Sequence, residues 1–337
     1  MRLFLSAEQK GQGRFQVLLS APYLISKWER YRGLFDDAGI ELTIAKAEER
    51  LSESELLGFA GRYDGVICGD DRYSSRVLEL WAPRLKVIAK WGTGLDSIDL
   101  DTAARLGVKV FNTPGAFTEA VADSVIGYVL AFARRLPEMD RAMKSGRWAK
   151  LPARALNECT LGVVGVGRIG KAVLVRARAF GMEVLGNDIV PVSSVFTESI
   201  GVNMVSLPEL LAASDFVSLN CDLNHSSRHL MNRETISLMG REAVLINTAR
   251  GQIVEETALI ESLQLGRLGG AALDVFEEEP LPQSSPLREM KNVLLAPHNA
   301  NSSSNAWERV DWNTIRNLFI GLGLMPPEPA DPTMHPK

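Results

Sequence analysis

The chain has 337 residues, 46% of them apolar and 23% charged, with a formal net charge of −4 from 37 basic and 41 acidic side chains. That length predicts two domains rather than one core, and the balance is that of a soluble globular protein. No basic stripe recommends nucleic acid as a partner, no apolar run approaches the ~20 residues that span a bilayer, and the opening MRLFLSAEQKGQGRF holds an apolar patch too short for a signal peptide.

Along the chain, short β-rich runs alternate with helix-length amphipathic stretches. FQVLLS (15–20), IELTIA (40–45), GVIC (65–68), LKVIA (85–89) and VKVFN (108–112) read as buried parallel strands, with helices between them over 22–38 and 74–81. This βαβ rhythm predicts a parallel sheet covered by helices on both faces. A long helix is expected from about Thr118 to Arg135, because Val121, Val125, Val129 and Phe132 recur at helical spacing. A second series follows in TLGVVGVG (160–167), MEVLGND (182–188), DFVSLN (215–220), AVLINT (243–248), GGAALDV (269–275) and NVLLAPH (292–298). A final helix over 303–322 is expected to return to the first domain.

The layout is therefore nested. One domain covers 1–115 and is completed by 301–337, and an inserted one covers 116–300. The expected fold class is α/β: two Rossmann-like, doubly wound parallel-sheet domains with a cleft between them. The three cysteines, Cys68, Cys159 and Cys221, lie far apart and make no zinc spacing, so no metal is expected and a reducing cytoplasm is the simpler setting.

The second series opens on Gly165-x-Gly167-x-x-Gly170, between an apolar strand and a helix, and Asp188 ends the next strand 23 residues after Gly165. A lone GxGxxG is weak, but strand, helix and acid in register form a dinucleotide fingerprint. Gly165 would allow the tight turn, Gly167 the approach of a pyrophosphate, and Gly170 the close packing of helix on strand. Free N–H groups at the helix start favour the phosphates. Asp188 would accept from ribose hydroxyls and repel a 2′-phosphate, which favours NAD over NADP.

In a doubly wound sheet, ligands bind beyond the carboxyl ends of the strands. Three polar residues follow predicted strands there: Arg250 after VLINTA, Glu279 before Pro280, and His298 after VLLAP. Together they suit a dehydrogenase. An imidazole exchanges a proton with the substrate oxygen, a carboxylate orients the ring and stabilises imidazolium, and a guanidinium grips a carboxylate bidentately. Taken singly, EEEP could be a solvated acidic turn and Arg250 a surface residue.

VLINTARGQIVEETAL, GAALDVFEEEPL and NVLLAPH, following GVVGVGRIGKAV in this order, resemble the D-isomer-specific 2-hydroxyacid dehydrogenases. The likeness extends upstream through LKVIAKWGTGLDSIDLDTAARLGVKVFNTPGAFTEAVAD and covers about residues 60 to 300. It implies hydride transfer between NAD and a 2-hydroxy or 2-keto acid, with phosphoglycerate, glycerate and hydroxypyruvate types among the candidates. Arg250 would bind substrate, Glu279 support the base, and His298 act as acid and base. The expected cofactor contacts are Gly165, Gly167, Arg168, Ile169, Gly170, Asp188, Thr248 and Asp274. KWGTG (90–94) resembles the family's substrate loop, so Trp91, Gly92, Thr93 and Gly94 are expected at the substrate carboxylate, with successive N–H groups forming an anion nest. Family members usually dimerise through the cofactor domain, and RAMKSGRWAKLPARAL (141–156), with Trp148 as an aromatic anchor, looks like the arm that would do so.

Three departures stand out. Gly69-Asp70-Asp71-Arg72 occupies the place of a common Arg-Ser pair; the two acids argue against a simple pocket for an anionic tail, although Arg72 could compensate. Asp222 in NCDLN stands where a proline is usual, and MGREAV replaces a Lys-Pro-x-Gly turn. A formate dehydrogenase would carry glutamine at Glu279. The alternative from another class is an NAD-sensing binding protein of corepressor type, without significant catalysis.

Overall fold

The computed structural model describes residues 15–46 and 49–328. The opening stretch read above for a signal peptide lies almost wholly outside them. Two compact units are present: one runs to Ala116 and resumes at Ser303, and the other is Phe117–Ser302.

The first unit holds a five-stranded parallel sheet of β1 (Phe15–Leu19), β2 (Ile40–Ile44), β3 (Gly65–Cys68), β4 (Val87–Lys90) and β5 (Lys109–Phe111), in the order β2-β1-β3-β4-β5. Strands β3 and β4 are buried along their whole length, which is why GVIC and Val87–Ala89 are continuously apolar instead of alternating, with Lys90 buried at the end of β4. Helix Ser75–Trp81 starts where Ser74 accepts from the Val77 N–H, and it buries Val77, Leu78 and Trp81. The last helix, Ser304–Leu322, lies on the same sheet. A Cβ on Gly321 would come within 2.2 Å of Val87, and one on Gly65 within 2.9 Å of Leu318, so helix and strands meet at glycine.

One expected helix is not continuous. The stretch 22–38 divides into Pro22–Ile25, a 3-10 turn Trp28–Arg30, and Arg32–Asp37. The break falls at Lys27 (φ −120°), whose ammonium lies 3.3 Å from Asp311 and over the Trp307 ring. Tertiary partners there outweigh helical periodicity.

The second unit holds a seven-stranded parallel sheet ordered β12-β11-β10-β9-β6-β7-β8. Its strands are β6 (Thr160–Val164), β7 (Glu183–Asn187), β8 (Asn203–Met204), β9 (Phe216–Leu219), β10 (Val244–Asn247), β11 (Gly270–Leu273) and β12 (Val293–Leu295). The chain order reverses at β6, with β7 on one side and β9 on the other. That topological switch is where a doubly wound sheet opens a crevice at its strand ends. Strand β8 was not expected. It is two exposed residues at the sheet edge, too short to carry a pattern. The long helix Thr118–Ala133 buries Val121, Val125 and Val129, and its Phe132 ring fills the space that a Gly270 Cβ would need. Among the described residues, no helix is long and apolar enough to cross a membrane.

Candidate functional site

The glycine turn after β6 is built as a cradle. Gly165 has φ +89°, and a Cβ there would sit 2.5 Å from the Cys221 nitrogen, so no side chain fits. A Cβ on Gly170 would meet the Gly165 carbonyl oxygen at 2.0 Å, which forces glycine where the helix Arg168–Ala179 presses on the turn. At Gly167 nothing stands within 4 Å of a Cβ, so the backbone faces open space. Gly167 is the N-cap of that helix, and no side chain caps its first turn. Arg168 is exposed and Ile169 half-buried at the helix start. Asp188, just after β7, accepts from the Val166 N–H at 2.6 Å and from the Val190 N–H at 2.9 Å, which fixes its carboxylate beside the turn.

Two further polar atoms border this crevice. Thr248 Oγ1, after β10, and Asn220 Oδ1, after β9, are buried without a hydrogen-bond partner among the described residues. Buried polar atoms are normally satisfied, so such orphans suit a ligand rich in hydroxyl and amide groups. The donor cradle, the fixed carboxylate and the orphaned oxygens together fit a dinucleotide.

Beyond the carboxyl ends of β10, β11 and β12, three loops carry Arg250, Glu279 and His298. Asn247 is 1% exposed and pins the first loop, donating to the Arg250 carbonyl at 2.8 Å and accepting from the Ala249 N–H at 3.1 Å. A Cβ on the next residue, Gly251, would collide with the Phe276 carbonyl carbon at 1.8 Å. The turn bearing Arg250 therefore lies directly on the loop bearing Glu279. Glu279 accepts from the Phe276 N–H at 3.0 Å with one oxygen, and its other oxygen is 3.2 Å from His298 Nδ1. Of the three consecutive glutamates, Glu279 is thus the one paired with His298. Glu277 pairs instead with His229 Nε2 at 2.6 Å, and Glu278 is exposed.

His298 sits in the left-handed region, at φ +51°. That conformation costs a non-glycine residue roughly 1–2 kcal/mol. Asp274 holds it in place. The Asp274 carbonyl accepts from the His298 N–H at 2.7 Å, and its carboxylate accepts from the Asn299 and Ala300 N–H groups at 2.8 and 2.9 Å. Asp274 is 1% exposed, and burial raises its pKa against the opposing pull of those two N–H groups and of His298. The sequence points Asp274 only toward the cofactor and gives no sign of this tie, because hydrogen bonds to a distant loop have no local pattern. The His229–Glu277 pair was missed for the same reason.

In the first unit, the substrate loop expected at 91–94 follows β4. Gly92 has φ +125°, and its carbonyl accepts from both the N–H and the hydroxyl of Thr113, at 2.9 and 3.0 Å. Asn112 donates to the Thr93 carbonyl at 2.7 Å. The carbonyls are thereby turned toward the end of β5. No protein acceptor among the described residues takes the N–H groups of Gly92, Thr93 or Gly94. A run of free N–H groups with the carbonyls tied away is an anion nest. Trp91 is 5% exposed and donates through Nε1 to Asp311 at 2.7 Å.

The departures resolve into structure. Asp71 is fully buried and accepts from the Ser20 hydroxyl and from the Leu51 N–H at 2.6 Å, tying three segments together. Asp70 pairs with Lys90 at 2.6 Å, and Arg72 is exposed. Asp222 and the residues Gly240, Arg241 and Glu242 are exposed.

Comparison with known proteins agrees with this geometry. The family profile described as D-isomer specific 2-hydroxyacid dehydrogenase, NAD binding domain, matches residues 126–300. A glyoxylate reductase of Korarchaeum cryptofilum is 41% identical over 253 residues, covering 73% of this chain and 76% of that protein. A hydroxypyruvate reductase of Thermotoga maritima is 36% identical over 281 residues, covering 82% and 90%. The crystal structure of D-lactate dehydrogenase from Aquifex aeolicus, complexed with NAD and lactic acid, superposes with a TM-score of 0.79 at 30% identity, covering 88% of this chain and 92% of that one. With likeness running through most of the chain in both sequence and fold, this protein belongs to the D-isomer-specific 2-hydroxyacid dehydrogenase family, as an NAD-dependent oxidoreductase moving hydride between the nicotinamide and C2 of a small 2-hydroxy or 2-keto acid.

Proposed function

We propose that His298 is the acid–base catalyst, that Glu279 orients it, that Arg250 binds substrate, and that the N–H groups of Gly92, Thr93 and Gly94 receive the substrate carboxylate. The observation that carries this reading is the His298–Glu279 pair beyond the strand ends, with Arg250 on a turn packed against the same loop. Bound NADH supplies the hydride for C2; the remaining work belongs to the chain. Glu279 engages Nδ1 of His298, and Nε2 is the atom proposed to act on the substrate. In reduction, Nε2 donates its proton to the keto oxygen as negative charge develops there. In oxidation, the neutral ring takes the hydroxyl proton at the same atom. Arg250 adds a fork that matches a carboxylate bidentately.

Gly165, Gly167, Arg168, Ile169, Gly170, Asp188, Thr248 and Asp274 form the proposed cofactor set. The Asp188 carboxylate would repel a 2′-phosphate, so NADH is the expected partner over NADPH. The first unit would then be the substrate domain. A homodimer is proposed through the segment 141–156, where Trp148 is 89% exposed, and a cytoplasmic setting agrees with three free cysteines. A panel of 2-keto acids assayed with NADH and with NADPH tests the reading. Turnover with NADH, and much weaker turnover with NADPH, is expected. Tight NADH binding with no turnover of any 2-keto acid would favour a nucleotide-sensing role instead.

A further inference from the structure

Three aromatic rings gather at the carboxyl end of the first unit's sheet. Tyr23 follows β1, Trp91 follows β4, and Trp307 lies in the first turn of the helix Ser304–Leu322. Tyr23 stacks on Trp91 with centroids 5.0 Å apart at 28°, and meets Trp307 at 5.0 Å and 44°. The two indoles meet each other at 6.2 Å and 73°. Trp91 is buried, but Tyr23 and Trp307 are half-buried, so the cluster keeps an open side. Trp91 is also the residue next to Gly92, which joins the rings to the anion nest by one peptide bond.

The charges around the rings are already matched. Lys27 lies over Trp307 at 5.4 Å but is 3.3 Å from the Asp311 carboxylate, and Asp311 also fixes Trp91 through its indole N–H. Lys90 is 3% exposed and is taken by Asp70 and by the Gly69 carbonyl, each at 2.6 Å. A phosphate or second carboxylate is normally received by unpaired Arg or Lys forks or by ammonium groups. Here Lys27 and Lys90 each have their own carboxylate, Arg72 of the neighbouring loop is exposed, and Asp71 adds a further buried acid. One polar atom is left over: Trp307 Nε1 is buried without a partner among the described residues.

From this we propose that Tyr23, Trp91 and Trp307 form the wall that receives the group borne on C3 of the substrate, and that the enzyme works best on 2-keto acids with an uncharged ring or a branched apolar side chain. The proposal rests on the dehydrogenase reading above and deepens it. Aromatic faces reward ring and branched apolar groups through dispersion and offset packing, and the paired charges offer an anionic tail nothing. Trp307 Nε1 would donate to a ring hydroxyl or to π density on such a substrate.

Steady-state kcat/KM with NADH tests it on glyoxylate, 4-methyl-2-oxopentanoate, phenylpyruvate, oxaloacetate and 3-phosphohydroxypyruvate. Phenylpyruvate and 4-methyl-2-oxopentanoate should exceed both anionic-tailed acids by at least about 10-fold, the scale of one hydrophobic contact difference. In Trp307→Ala, the ratio of kcat/KM for phenylpyruvate over glyoxylate should fall by about 10–100-fold. A merely structural role would lower both substrates together and leave the ratio unchanged, which would overturn the proposal. Tyr23→Leu reads the same ratio if Trp307→Ala does not fold, and Trp307→Phe should recover most of it. An unmodified enzyme that prefers 3-phosphohydroxypyruvate or oxaloacetate refutes the wall but keeps the dehydrogenase. Absence of turnover on all five substrates refutes both.

Discussion

Two histidine–glutamate pairs stand in the second unit and make a controlled comparison. His298 pairs with Glu279 and His229 with Glu277, so both carboxylates come from one run of three glutamates. Both histidines take left-handed backbone, at φ +51° and +50°. Their exposures are similar, and the His229 pair is the shorter, 2.6 Å against 3.2 Å. By pair chemistry alone, His229 would be the better candidate. The surroundings separate them. His229 donates its backbone N–H to the Gln252 carbonyl, and Gln252 in turn donates to the Glu277 carbonyl. Glu277 and Glu256 exchange backbone-to-carboxylate hydrogen bonds at 3.3 Å. That pair is a latch that holds the loop. His298 instead stands beyond β12, with Nδ1 turned to Glu279 and its backbone held by Asp274. What favours His298 as the proposed catalyst is its position at the strand ends, not the strength of its ion pair.

Substitutions can break or sharpen this contrast. The largest effect is expected from His298→Ala, which should lower kcat by about 10²–10⁴-fold, the worth of a positioned acid–base group. A loss under about 10-fold would remove His298 from the chemistry. Next comes Glu279→Gln, expected to lower kcat/KM by about 10–100-fold and to move the basic limb of the reduction profile to lower pH, since imidazolium then lacks its carboxylate. A basic limb that stays in place would reduce Glu279 to part of an acidic turn.

Asp274→Asn should have a smaller effect, about 10-fold on kcat, because the His298 loop loses its charged acceptor while the ring itself remains. Its effect on stability should depend on pH with a definite sign. Burial raises the Asp274 pKa above its unfolded value, so the folded state holds that proton more tightly. The stabilising contribution is full below the unfolded pKa of about 3.9 and is lost as pH rises through the folded value. Asparagine should therefore cost most stability near pH 4 and less at neutral pH, as read from urea midpoints. A cost that grows with pH would contradict this. The smallest catalytic effect is expected from His229→Asn. It should change kcat by less than about 3-fold, while stability falls by about 1 kcal/mol from the lost hydrogen bond. A kcat loss comparable to that of His298→Ala would erase the distinction between the pairs.

Some of this site could be read before any folding. Gly165, Gly167, Gly170 and Asp188 form a local signature, since a strand, a tight turn and a helix start impose their demands within a few residues. The elements between 15 and 20 or between 160 and 167 could be read for the same reason, from apolar runs and turn residues. The interruption at Lys27 could not, because Asp311 and Trp307 lie nearly three hundred residues away in the chain. Strand β8 has too few residues to show a period.

The sequence by itself determined the βαβ order, the two parallel sheets and the glycine turn between β6 and its helix. Each of these depends on interactions among near neighbours or on the period of apolar side chains, which are written along the chain. Only the tertiary structure decided which glutamate meets which histidine, that Asp274 holds the His298 loop through Asn299 and Ala300, that Asp71 is a buried tie and not a pocket acid, and that Tyr23, Trp91 and Trp307 come together. Those outcomes depend on contacts between residues far apart in sequence. Hydrogen bonds and ring contacts act over a few ångströms in space, whatever the distance along the chain.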